Sequence, residues 1–147
     1  MEEVFLVLVL VILAIFLVSI ILYVIQAIAL STIAKNNGYK NWWIAWIPIA
    51  NSFLIPILVE DDVHESMRGN FTLIYGITFV GSALLSGFIP FVGIFLAALN
   101  YYAFYILANW YSKNAVAHLI IGVVTFGLSI PFSLFRFRNR ERISGVI

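Results

Sequence analysis

A chain of 147 residues that is 63% hydrophobic and 10% charged departs far from soluble domains, which run at about 45–50% and 25%. With a mean hydropathy of +1.06 and apolar runs recurring along its length, a water-soluble fold could not hide this much apolar surface. A net charge of +1 excludes the concentrated basic surface that nucleic acid demands. The lack of cysteine excludes disulfides, thiolate nucleophiles and zinc–sulfur sites. These quantities predict an all-α, polytopic membrane bundle over 1–147 as a single domain, with no soluble domain.

The first run, VFLVLVLVILAIFLVSIILYVIQAIALSTI, predicts a helix over 4–34. At ~1.5 Å per residue it reaches ~45 Å, longer than a ~30 Å hydrocarbon layer, so it must tilt or protrude. It has no basic region before it and exceeds the apolar core of a signal peptide, which reads as a retained first helix. In its second half Ala27 and Ser31 stand four apart, a spacing that lets helices approach closely. Asn37-Gly38 is a helix stop.

The stretch NWWIAWIPIANSFLIPILV predicts a second span over 42–59, kinked by Pro48 and Pro56 and led by Trp42, Trp43 and Trp46 as an interfacial belt. The alternative is a re-entrant segment that returns to the side it entered, leaving four spans. The change from Lys35 and Lys40 before it to Glu60, Asp61, Asp62 and Glu65 after it favours a crossing. Runs over 71–89 and 91–111 give the third and fourth spans. They are broken at Gly87-Phe88-Ile89-Pro90, because proline disfavours helix in the residue before it and glycine can cap. A fifth span is predicted over 115–135, and a basic tail over 136–147 follows. Five spans put Lys35, Lys40 and the tail arginines on one face, with Arg68 and Lys113 on the other. The positive-inside rule then sets the N-terminus outside and the C-terminus inside.

The polar side chains predicted to lie within the bilayer are Gln26, Asn51, Asn100 and Asn109. Each needs a hydrogen-bond partner there. Asn51 and Asn100 fall near the middles of their spans and could meet. They would then act as glue between helices or, in an alternative function, as the polar site of a small channel or carrier for an ion or solute. No Asp, Glu, Lys or Arg falls in the middle of a span, which counts against a proton-coupled pump. Glu60, Asp61, Asp62, His64 and Glu65, with His118, form the one dense set of metal-capable side chains. Their spacing fits no metal motif, and a solvated acidic loop is the plainer reading. Nothing in the sequence requires a cofactor. In the tail, Arg136, Arg138, Arg140 and Arg142 suit anionic headgroups, each basic residue contributing ~1 kcal/mol near a membrane surface. No nucleophile–base pair, phosphate-binding loop or dinucleotide fingerprint is present, so an enzyme is not expected.

The phrase IAKNNGYKNWWIAWIPIAN, with YSKNAVAHLIIGVVTFGLSIPFSLFRFRNR near the end, resembles a loose group of small uncharacterised multi-pass membrane proteins of Gram-positive bacteria. Their recurring feature is a first helix, a Lys/Gly loop and an Ala-aromatic-x-Pro-Ile-x-Asn segment, here Ala45, Trp46, Pro48, Ile49 and Asn51. The resemblance implies a bacterial cytoplasmic membrane protein and transfers no activity or site. The function expected is non-catalytic, exerted through protein partners in the bilayer. Examples are an accessory or assembly subunit of a transport or secretion complex, or an immunity-type protein. A homo-oligomer is a further option.

Overall fold

Glu2 and Glu3 in the first turn of the opening helix and Lys35 in its last complement the helix dipole at both ends. This helix, α1 (Glu2–Asn36), belongs to a computed structural model that describes residues 1–89 and 91–143. Pro90, part of the predicted third break, and the last four tail residues lie outside the described residues. Every regular element among the described residues is helical. α1 stops where Asn37-Gly38 predicts: the Asn37 side-chain amide donates to the Ile33 carbonyl at 2.8 Å, and Gly38 takes φ +75°.

α1 has two dissimilar halves. Ala27, Ala29, Leu30, Ile33 and Ala34 are fully buried, and Ser31 nearly so, so the small residues let neighbouring backbones come close. Residues 1–21 are all exposed. At 35 residues the helix is ~52 Å long, and its N-terminal half projects without packing on another element.

The predicted second span is two elements, a 3₁₀ turn (Trp42–Trp46) and α2 (Pro48–Val59). Pro48 forces the preceding residue into an extended conformation, and Ile47 sits at φ −96°, ψ 117°. The chain therefore reverses there instead of continuing as one kinked helix. The turn starts beside the end of α1, where the Lys35 ammonium lies 5.8 Å from the Trp42 ring. It reaches the level of Gln26, and α2 then runs back until Leu58 and Asp61 share a cleft with Asn37 and Tyr39.

α3 (Phe71–Leu85) and α4 (Val92–Tyr111) follow as an antiparallel pair. Glu60 caps the start of α3, accepting the Thr72 backbone N–H at 3.1 Å and the Thr72 hydroxyl, which sets a negative charge at a helix N-terminus. The chain breaks between α3 and α4 in the region predicted.

The predicted fifth span is also two helices, α5 (Ala115–Val124) and α6 (Ile130–Phe137). Gly127 takes φ +86° and donates its N–H to the Gly122 carbonyl at 2.7 Å, while Phe126 bonds Val123, the pattern of a glycine-terminated helix. Ser129 N–H bonds the Thr125 hydroxyl at 3.2 Å, and Pro131 lies in the first turn of α6. The two helices are antiparallel, since His118 near the start of α5 stacks edge-on against Phe137 at the end of α6, 4.9 Å between centroids. A side chain at Gly127 would have to enter the left-handed region, at a cost of ~1–2 kcal/mol. Gly127→Val should therefore lower unfolding stability in detergent by about that amount. Gly122→Ala, whose added carbon meets only ordinary contacts at 3.6–3.8 Å, should be near neutral.

A salt bridge joins the acidic loop to the tail. The Arg142 guanidinium lies 3.0 Å from the Asp62 carboxylate, joining residues that a five-span chain sets on opposite faces. Asn36 donates to the Arg138 carbonyl at 3.0 Å, and the Ile143 N–H to the Trp110 carbonyl at 2.7 Å. The ends of α1, α2, α4 and α6, the acidic loop and the tail thus meet at one end of the bundle. Asn41–Val59 returns to the end of the bundle that it left. Lys113 follows directly on α4, and Arg68 lies beside Asn109 and Trp110, so all eight lysines and arginines gather at this charged end.

Candidate functional site

Of the four polar side chains predicted within the apolar region, two hold the returning hairpin in place. Asn51, buried to 3% exposure, accepts from the Gln26 amide at 2.9 Å and donates to the Ala45 carbonyl at 2.5 Å. One side chain thus ties α1, the 3₁₀ turn and α2 together, and it satisfies a carbonyl that the break before Pro48 would leave bare. Asn100 serves α3 and α4 instead, accepting from the Tyr75 hydroxyl at 3.1 Å and donating to the Leu96 carbonyl at 3.1 Å. The two asparagines therefore bond other groups and not one another. Asn109 is half-buried at the edge of a cleft under the acidic loop.

The acidic loop is dispersed among separate tasks. Glu60 caps α3, Asp62 pairs with Arg142, and the His64 ring nitrogen Nδ1 lies 3.0 Å from the Ser66 hydroxyl. The His64 backbone N–H donates to the Tyr102 hydroxyl at 3.0 Å. His118 faces Ser133, 3.2 Å away, and stays apart from the loop. Among the described residues no three His, Asp or Glu side chains converge on a point where a metal could sit. The six residues suggested as ligands by composition are not brought together.

The described part of the tail, up to Ile143, is held against the bundle. Arg138 covers the Phe135 ring and Arg142 the Trp110 ring, each with its guanidinium carbon 3.5 Å from the centroid. Arg140 donates to the Tyr111 carbonyl at 3.3 Å. Three of the four arginines proposed for headgroups thus spend part of their capacity on the protein. Asp62 and Trp110 as anchors for the tail were not read from the sequence, because eighty residues separate Asp62 from Arg142. The pair is about half-exposed on both sides and so worth no more than ~1 kcal/mol. Asp62→Asn should leave the unfolding midpoint in detergent almost unchanged.

Several concavities open on the bundle's surface. One of about 480 Å³ lies between the acidic loop and α4, and one of about 370 Å³ lies across Trp110 beside Asn37 and Tyr39. A third, about 880 Å³ and almost wholly apolar, runs along α3 between Phe53, Gly76 and Val80. On α4, Gly93 and Ala97 are exposed, whereas Phe104 and Ala108, nearer its C-terminal end, are buried.

No family model, curated protein or solved structure matches the chain. Two helices, α1 and α4, are long and apolar enough to cross a membrane.

Proposed function

We propose that the chain is an integral membrane protein with three crossings, α1, α3 and α4, and two helical hairpins that enter from the charged face and return to it. The gathering of every lysine and arginine at one end supports this reading, since it satisfies the positive-inside rule more fully than five spans do. The N-terminus is then outside and the C-terminus inside. Non-helical backbone at membrane depth is tolerated where protein covers it, and the 3₁₀ turn lies against α1 with Ala45 fully buried. The resemblance to small Gram-positive membrane proteins supports the cytoplasmic membrane as the setting.

Within that membrane the protein acts without catalysis, through a partner helix, as an accessory or assembly subunit or as an immunity-type protein. The observation that carries this reading is the N-terminal half of α1. Val4 to Ile21 presents apolar side chains in every direction, with Phe5 at 70% and Phe16 at 61% exposure. A helix held by one end only and projecting beyond its own bundle is free to pack against another chain. A photo-reactive residue at Leu8 or Ile12 in cells should yield a discrete protein adduct, while the same probe at Ile77 on α3 should not. Adducts with lipid alone at all three positions would count against the partner reading, and an adduct of twice the chain's mass would make the partner a second copy.

A further inference from the structure

We propose that the cleft between the acidic loop and α4 binds a zwitterion: a ligand with an ammonium and an oxyanion a few ångströms apart. The proposal uses only the position of the charged end at a water–lipid boundary and does not depend on the partner helix.

The cleft, about 480 Å³, is lined by both apolar and charged groups. Its charges are already partly spent. Asp62 is neutralised by Arg142 at 3.0 Å, and the same guanidinium covers one face of Trp110. That leaves one carboxylate, Glu65, and one guanidinium, Arg68, on the cleft wall. Among the described residues neither makes an ion pair or a side-chain hydrogen bond. A purely anionic ligand would face Glu65 unpaired, and a purely cationic one would face Arg68. Only a ligand carrying both signs leaves no charge uncompensated. The aromatic rings of Tyr105 and Trp110 suit the ammonium, and the Asn109 amide, which has no partner among the described hydrogen bonds, can donate to the oxyanion beside Arg68. Ile106 supplies apolar wall for a hydrocarbon neighbour of the head. This chemistry has two sources, the phosphoethanolamine head of a membrane lipid and a free small zwitterion.

The test uses the full chain, purified in mild detergent and stripped of lipid, with binding read by native mass spectrometry and calorimetry. The probes are phosphatidylethanolamine, anionic phosphatidylglycerol and free phosphoethanolamine. Phosphatidylethanolamine should bind about tenfold or more tightly than phosphatidylglycerol, and Glu65→Gln and Arg68→Gln should each weaken it by about tenfold, as loss of one charge-assisted hydrogen bond implies. Both residues are exposed, so neither variant should disturb folding, which far-UV circular dichroism checks. Glu3→Gln, at the far end of α1, should leave affinity unchanged. Free phosphoethanolamine binding as well as the lipid assigns the site to a soluble zwitterion, whereas binding of the lipid alone assigns it to the headgroup with its chains. Equal affinity for the two lipids, no binding of any probe, or unaltered affinity in both folded variants would overturn the proposal.

Discussion

Phe104→Ala should destabilise the fold by about 3–5 kcal/mol, the usual loss when a buried phenylalanine is truncated. Phe104 is 1% exposed on α4 and lies against Gly122 of α5, where an added carbon would stand 3.8 Å from its ring. If these helices lie in lipid, as proposed, no hydrophobic gain holds them together and the contact rests on close packing. Removing the ring opens a void at the junction of α4 with the second hairpin. Phe95→Ala, at 69% exposure on the same helix, is the matched control and should be near neutral. Denaturant titration in detergent with helicity as readout distinguishes them, and equal losses would mean that the α4–α5 contact is not a packing core.

Asn51→Leu should cost about 2–3 kcal/mol, because the buried Ala45 carbonyl and the partly buried Gln26 amide lose their partner and each unmet buried group costs ~1–3 kcal/mol. Adding Gln26→Leu should give back part of the loss, since the double variant leaves only the carbonyl bare. The coupling between the two sites should therefore differ from additivity by about 0.5 kcal/mol or more. Strict additivity would show that the two side chains do not bond in solution. The expected damage is local: the hairpin of the 3₁₀ turn and α2 should lose protection from hydrogen exchange before α3 and α4 do.

Much of the helical content was legible because long apolar runs admit little else. The Asn37-Gly38 stop and the break after α3 followed from residue chemistry that acts locally. The two hairpins were not legible in the same way. Uniform apolar composition hides a reversal, since neither the deep side nor the returning side of a hairpin needs charge. The signals present were Pro48, which extends Ile47, and the Gly127–Pro131 spacing, where a left-handed stop is followed by a proline suited to a new first turn. The meeting of the acidic loop with the tail was hidden for a related reason. The acidic loop and the arginine tail read as opposed charges on opposed faces, whereas the fold sets them together and pairs Asp62 with Arg142. Gln26 and Asn51 were legible as groups needing partners. That they choose one another, while Asn100 chooses Tyr75, depends on helix order that the sequence alone does not dictate.

The arrangement of the charged end is open to one direct measurement. The chain has no cysteine, so single cysteines at Glu3, Asp61, Lys113 and Asn139 can be probed with an impermeant thiol reagent on intact cells and again after permeabilisation. Glu3 should react on intact cells, and the other three only once the membrane is opened. Asp61 or Lys113 reacting from outside while Asn139 stays protected would contradict the returning hairpins and restore a chain that crosses five times.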